Sequence, residues 1–236
     1  MTNGFYTAAS GVVGQQQAMD VTANNLANVS TQGYRADRAS FADLLYTNVK
    51  DEAGDSALKV GHGTKVGKTD TMASQGGLRE TGLPQNYALT DPRNFFAVRT
   101  AGGTVQYTRS GSFHKASGGD GRYYLADSEG GFVLDSAGNP IVMTGDDRRA
   151  QPVGVYTFAN LGGLRKTGGN DYAATALSGA ASAVRGAEVR QGFLEDSTVD
   201  MATELSDMIV QQRAFEVNAK MVQMTDEVMQ TVNSLR

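Results

Sequence analysis

The sequence predicts an α+β protein: long amino- and carboxyl-terminal helices forming a coiled-coil-like layer, with a central all-β domain and extended arms. Three observations carry that prediction. Both ends repeat apolar residues every seven positions, short apolar runs punctuated by glycine fill the middle, and the amino-terminal end is almost without charge.

Within residues 1–34 the only charged side chain is Asp20. Phe5, Val12, Met19 and Leu26 share one register, and Ala9, Gln16 and Ala23 lie four positions after the first three. Together they make one stripe on a helix from about residue 4 to about residue 27. Thr2 or Asn3 caps its start, and Asn28, Ser30 and Gly33 supply the non-helical chemistry that stops it. Residues 35–83 are less periodic and read as an extended arm.

The pattern then changes to strands. Tyr87–Leu89, Phe95–Val98, Val105–Thr108, Tyr123–Leu125, Phe132–Leu134, Ile141–Met143 and Val153–Phe158 are the candidates. Gly102-Gly103, Gly118-Gly119, Gly130-Gly131 and Ala137-Gly138-Asn139 fall between them as hairpin loops. This places a small antiparallel β domain at 84–160, with 161–196 as a return arm.

In the last segment, 197–236, Met201, Met208, Phe215, Val222 and Met229 recur at seven-residue spacing, with Leu205, Gln212, Ala219 and Asp226 four positions later. Ser197 and Asp200 read as a capping box, so the helix is expected from near Thr198 towards Leu235. A second apolar line, Met221, Met224, Val228, Val232 and Leu235, occupies the final turns. Helices this long with few acid–base pairs need a partner along most of their length. The glutamines in the two seams, Gln16 and Gln212, are suited to fixing register and should find polar partners.

Composition removes several classes of function. The formal charge of −4 offers no basic surface for phosphate backbones, so nucleic acid is not an expected partner. Cysteine is absent, which excludes disulfides and thiolate metal sites. No run approaches the length needed to span a bilayer, and no cleavable signal peptide is visible.

Catalytic chemistry is also missing. His62 and His114 have no second metal ligand at suitable spacing. The glycines of Gly61–Gly67 fit neither the dinucleotide nor the phosphate-loop pattern. Asp135, Ala137 and Asn139 begin like a calcium loop, but Ala137 replaces a ligand and Pro140 the required glycine, so a hairpin turn fits better. Asp120, Asp146 and Asp147 read as solvated loop tips rather than glycosidase acids. The expectation is no catalytic residue, no metal, no cofactor and no small-molecule substrate. A carbohydrate-binding β module with helical tails is the alternative from another class.

Asn24-Asn25-Leu26-Ala27-Asn28 followed by Thr31-Gln32-Gly33-Tyr34 resembles the amino-terminal signature of flagellar rod and hook proteins, in which Pro is common at the position of Gln32. Phe41–Tyr46 is similar to the arm of the distal-rod type. Gln75-Gly76-Gly77-Leu78 with Thr81-Gly82, Phe95–Val98 with Tyr107–Phe113, Gly192–Asp200, and Gln211–Asn218 resemble further family motifs in the family's order. Thr198 stands where Asn is usual and Phe215 where Tyr is usual.

The resemblance implies a structural axial subunit of the bacterial basal-body rod, self-assembling into a helical tube that transmits torque and encloses the export channel. It implies export without a cleavable signal peptide. The partners are then copies of itself, other flagellar rod and hook proteins, and the flagellar type III export apparatus. A proximal-rod or accessory member of the same family is the alternative. The residues expected to meet other subunits are Phe5, Val12, Met19, Leu26, Asn25, Asn28, Gly33 and Tyr34. At the other end they are Met201, Leu205, Met208, Gln212, Arg213, Phe215, Asn218, Val222 and Met229.

Overall fold

The computed structural model describes residues 2–49, 58–143 and 149–235, so Asp146 and Asp147 lie outside the described residues. The chain forms two compact units, each assembled from separated stretches of sequence: Met1–Ala27, Asp37–Asp70 and Asp200–Arg236 in the first, Asn28–Ala36 and Thr71–Val199 in the second.

The first unit holds helix α1 (Thr2–Ala27), strands β1 (Asp37–Asp43), β2 (Tyr46–Val49), β3 (Leu58–Gly61) and β4 (Thr64–Thr71), and helix α2 (Met201–Ser234). Strands β1 and β4 pair, as do β2 and β3, so the expected arm is largely two-stranded ribbon. Helix α1 begins at Thr2, which places both expected caps, Thr2 and Asn3, inside it. Helix α2 starts three residues later than expected. Its N-cap is Asp200, whose carboxylate accepts the Ala202 amide and the Thr203 hydroxyl, while Ser197 bonds the Val199 amide instead. An aspartate at that position also suits the positive end of the helix dipole.

The two helices run antiparallel: Asn25 meets Glu204, Thr22 meets Gln211 and Gly11 lies against Asn218. Along α1 the buried residues are Ala8, Gly11, Gly14, Ala18, Thr22 and Asn25; Gly14 lies against Phe41 of β1, and the others, with half-buried Gln15, keep the three–four spacing of a seam. Phe5, Val12, Met19 and Leu26 are half-buried to one side of it, and Gln16 and Ala23 are exposed. Close approach explains the difference. A Cβ on Gly11 would sit 2.9–3.0 Å from the Asn218 side chain, so the helices meet where side chains are smallest rather than most apolar.

On α2 the half-buried line is Glu204, Met208, Gln211, Phe215, Asn218, Val222 and Thr225. It keeps three residues of the expected apolar register, with Ala214 and Ala219 of the same turns also half-buried; of the expected companion register only Ala219 is covered, and the other companions lie three positions on rather than four. Met201, Leu205, Gln212, Asp226 and Met229 are exposed as a result. Gln16 does find a partner, in Asp20 of its own helix at 3.1 Å, and not in Gln212.

The second unit contains strands β5 (Leu78–Glu80), β6 (Tyr87–Leu89), β7 (Asn94–Arg99), β8 (Val105–Thr108), β9 (His114–Ser117), β10 (Tyr123–Ala126), β11 (Phe132–Val133) and β12 (Val155–Thr157). It continues with β13 (Arg165–Gly168), β14 (Asp171–Ala173), β15 (Ser182–Ala183), β16 (Val189–Gln191) and β17 (Phe193–Glu195). Its main sheet runs β13-β14-β8-β7-β11-β10-β9, with β12 joining β7 to β15, and β16-β6 and β17-β5 form separate pairs.

Strand β7 is the centre, pairing with β8, β11 and β12. Its alternation sends Phe96 and Val98 into a core with Tyr87, Leu89, Phe113, Leu125, Val133, Ile141, Met143 and Val155. Phe95 faces the other way, onto Phe158 and Tyr172. A strand with both faces covered reads as a continuous apolar run, which is how Phe95–Val98 looks in the sequence.

The sheet extends beyond residue 160, because β13, β14 and β15 belong to it; Tyr172 supplies one wall of the second core, so the return segment is not an arm over that stretch. Ile141 and Met143 are buried, and the segment joins the sheet through the Val142–Tyr124 bridge, with the Leu125 amide donating to the Ile141 carbonyl, the Met143 amide to the Tyr123 carbonyl and the Ile141 amide to the Val133 carbonyl. Strand β9, which the sequence reading passed over, edges the sheet against β10. The Asp135–Asn139 turn is a hairpin, with the Asp135 carboxylate accepting the amides of Ala137 and Asn139.

Candidate functional site: a motif junction and a helix pair

In the second unit, four of the signature segments converge on one buried ion pair. Arg109 follows β8 and Glu195 closes β17; their side chains are 0% and 1% exposed. The Arg109 Nε donates to Glu195 Oε2 at 2.8 Å and Nη2 donates to the same oxygen, while Nη1 donates to the carbonyls of Asp91 and Asn94 at 2.7 and 2.6 Å. The other carboxylate oxygen, Oε1, accepts the Gly76 amide at 3.1 Å. A pair so fully bonded satisfies the condition under which buried charge is tolerated.

The backbone carbonyl of Glu195 in turn accepts the Gly33 amide at 2.8 Å. Gly33 has φ +66°, and a Cβ there would lie 2.7–2.8 Å from the backbone of Arg109 and Ser110. Only glycine combines that conformation with that approach. The neighbouring residues are held as well. Asn170, itself at φ +68°, donates to the Gln32 carbonyl at 2.9 Å, and Lys166 donates to the Arg35 carbonyl while lying 4.9 Å from the Tyr34 ring centre.

Arg35 is buried over the Phe95 ring and donates to the Pro92 carbonyl. Burial, and next the nearby Arg109 guanidinium, lower its pKa to about 10, still far above neutrality. Beside the junction a cavity of about 190 Å³ is lined by Gln32, Thr108, Asp127, Glu129 and Asp171 among others. Burial pushes the Asp171 carboxyl up to about 7, with Asp127 and Glu129 adding to the rise and a hydrogen bond with Thr108 opposing it. Among the described residues no group of three or more His, Cys, Asp or Glu could hold a metal ion.

In the first unit the corresponding hub is Asn25, 1% exposed. Its Oδ1 accepts the Asp37 amide at 2.9 Å and its Nδ2 donates to the Asp37 carbonyl at 2.8 Å and to Glu204 Oε1 at 3.0 Å. The amide thus acts like a short strand partner for the entering arm while tying α1 to α2. Burial raises the Glu204 carboxyl from its ordinary value. Gln211, one position before the expected Gln212, donates to Thr22 at 3.1 Å.

The predicted interaction residues therefore divide. Asn25, Met208, Phe215, Asn218 and Val222 lie on the seam within the chain, whereas Gly33 and Tyr34 are buried in the junction of the second unit and Asn28 is half-buried there. Phe5, Val12, Met19 and Leu26 flank the seam, and Met201, Leu205, Gln212, Arg213 and Met229 are exposed. Arg109, Glu195 and Gln211 stand inside the motif segments Tyr107–Phe113, Gly192–Asp200 and Gln211–Asn218, but neither their pairing nor Glu204 is an expectation of the sequence.

The signature segments that meet at the buried Arg109–Glu195 pair and along the helix pair are those of a structural protein family, and the chain belongs to the flagellar basal-body rod proteins. The family described as "Flagella basal body rod protein" matches residues 5–35, and "Flagellar basal body rod FlgEFG protein C-terminal" matches residues 190–235. Among individual relatives, the flagellar basal-body rod protein FlgG of Borreliella burgdorferi is 35% identical, the alignment covering 100% of this chain and 99% of the relative. The FlgG proteins of Bacillus subtilis and Buchnera aphidicola are 32% and 31% identical, with both chains covered in full.

Proposed function

We propose that the chain is a non-catalytic, distal-type subunit of the flagellar rod that polymerises with copies of itself into a helical tube. In this reading the tube transmits torque and encloses the export channel, and the subunit reaches it through the flagellar type III export apparatus without a cleaved signal peptide. Its further partners are the adjoining rod and hook proteins. The observation that supports this reading best is full-length similarity to FlgG proteins combined with a terminal helix pair whose outer apolar residues remain exposed. No helix among the described residues is long and apolar enough to cross a membrane.

The test is genetic and structural together. Deleting the gene from its host is expected to leave basal bodies that stop within the rod by electron microscopy, with swimming lost and both defects reversed by the wild-type gene. Intact rods in the deletion strain would overturn the proposal.

A further inference from the structure

The cavity beside Gln32 leaves charge unbalanced within the second unit. Three carboxylates, Asp127, Glu129 and Asp171, line its volume of about 190 Å³, and no lysine, arginine or histidine does. Among the described residues none of the three belongs to an ion pair. They are graded in depth: Asp171 is 5% exposed, Asp127 is half-buried and Glu129 is exposed. The carboxylates therefore run from the floor of the cavity to its mouth.

The backbone accommodates this arrangement. Gly169 turns at φ +59°, and a Cβ there would collide with Glu129 Oε1, so the missing side chain makes room for that carboxylate. Asp127 already has one oxygen occupied, since Oδ1 accepts the amides of Glu129 and Gly131 at 3.1 and 2.7 Å. Asp171 is less well served. Among the described residues no N–H donates to its carboxylate, and the donor that reaches it is the Thr108 hydroxyl, whose one proton also faces the Asn170 carbonyl at 3.3 Å. A carboxylate more than nine-tenths buried, with one shared donor, keeps most of its acceptor capacity open, and here that capacity faces the cavity.

We propose that the cavity binds one organic cation, an alkylammonium or guanidinium group held between Asp171 at the floor and Glu129 at the mouth. The same cavity is lined by the hydroxyl residues Thr108, Ser110 and Ser112, which add acceptors in several directions, as a group with several N–H donors requires. A metal ion needs ligands that converge on one point, and among the described residues no such group of acids exists. The assignment goes beyond the polymerisation reading and does not rest on it. Gln32 belongs to the amino-terminal signature, Glu129 to the β10–β11 hairpin and Asp171 to β14, so a bound cation ties three distant stretches of chain together.

The cation competes with a proton. Asp171, faced by Asp127, Glu129 and the Thr108 hydroxyl, keeps its proton up to about pH 7, and only its ionised form attracts the ligand. Between pH 6 and pH 8 the ionised fraction of such a group rises about tenfold, and affinity is expected to rise with it.

Calorimetric titration of dilute full-length protein with butylammonium or butylguanidinium chloride, at matched ionic strength, tests the site, with tetramethylammonium, sodium and calcium chlorides as comparisons. The two N–H cations are expected to fill one saturable site per chain, about tenfold more tightly at pH 8 than at pH 6. Asp171→Asn is expected to abolish binding and Glu129→Gln to weaken it about threefold, each with wild-type circular dichroism. Should Asp171→Asn fail to fold, the pH ratio and Glu129→Gln carry the test.

Equal binding of tetramethylammonium or sodium would mean charge screening alone, tighter binding of calcium a metal site, and no saturable binding at pH 8 a proton as the sole occupant. Each of these overturns the proposal, as does full affinity in Asp171→Asn. Sedimentation separates the two sources of the group. If butylammonium and Asp171→Asn both weaken self-association, the cation is a lysine or arginine side chain of a second copy; otherwise it is a free amine.

Discussion

Arg109 and Glu195 stand 86 positions apart in the chain and meet as an ion pair from which water is excluded. Glu195 also receives the Gly76 amide, so removing either charge strands several buried groups at once. Arg109→Met is expected to destabilise the second unit by about 3–5 kcal/mol. The double change Arg109→Met with Glu195→Met is expected to cost less than the sum of the single changes, because no unpaired charge is left. Denaturant unfolding of the four proteins measures both values; additive costs would mean the pair is not coupled.

Gly33 and Gly82 offer a matched comparison, since both have positive φ, +66° and +68°, and only Gly33 is crowded. Gly82→Ala is expected to cost about 1 kcal/mol for its backbone conformation alone. At Gly33 the added methyl also meets the backbone of Arg109 and Ser110, so Gly33→Ala is expected to cost at least twice as much. Equal melting temperatures for the two variants would show that the junction yields freely.

Asn25 should be the most sensitive polar position of the helix pair. Asn25→Ala removes two bonds to Asp37 and one to Glu204, at an expected cost of about 2–3 kcal/mol. Asn25→Asp keeps the shape but sets a second carboxylate against Glu204, and is expected to be worse at pH 8 than at pH 4. Limited proteolysis of α1 and α2 at the two pH values reports the difference.

Asp171 gives a pH dependence of opposite sign to that of an ordinary paired carboxylate. Its folded pKa of about 7 exceeds the usual 3.8, so the folded state holds the proton more tightly. The stability it contributes is full below about pH 4 and falls as pH rises through 7. Asp171→Asn is expected to stabilise the protein at pH 8, on the order of 2 kcal/mol, with the gain gone at pH 4. Melting curves across that range test it, and a gain that persists at pH 4 would assign the effect to something other than ionisation.

The periodic features of this fold were legible in the sequence. Whereas the helix starts were misplaced by two or three residues, the presence of the two long helices, the buried strand Phe95–Val98 and the glycine hairpins follow from contrast between apolar and polar neighbours. The register of the helix seam was not, because Ala8, Gly11, Ala18 and Thr22 offer little such contrast; their value is small size, which matters only once the partner helix is known. Strand β9, His-Lys-Ala-Ser, lacks an apolar face and exists because β10 supplies its hydrogen bonds. The Arg109–Glu195 pair was invisible for a third reason: each residue is an ordinary surface type until a distant segment buries it.

The 179 positions separating Asn25 from Glu204 set a waiting time. At ribosomal speeds of about 5–20 residues per second, α1 emerges roughly ten to forty seconds before the residue that completes its hub. Through that interval its small, uncharged seam has no partner in its own chain, and an isolated helix of such composition is only marginally stable in water. The order of synthesis therefore keeps the two-helix unit open until Glu204 has been made.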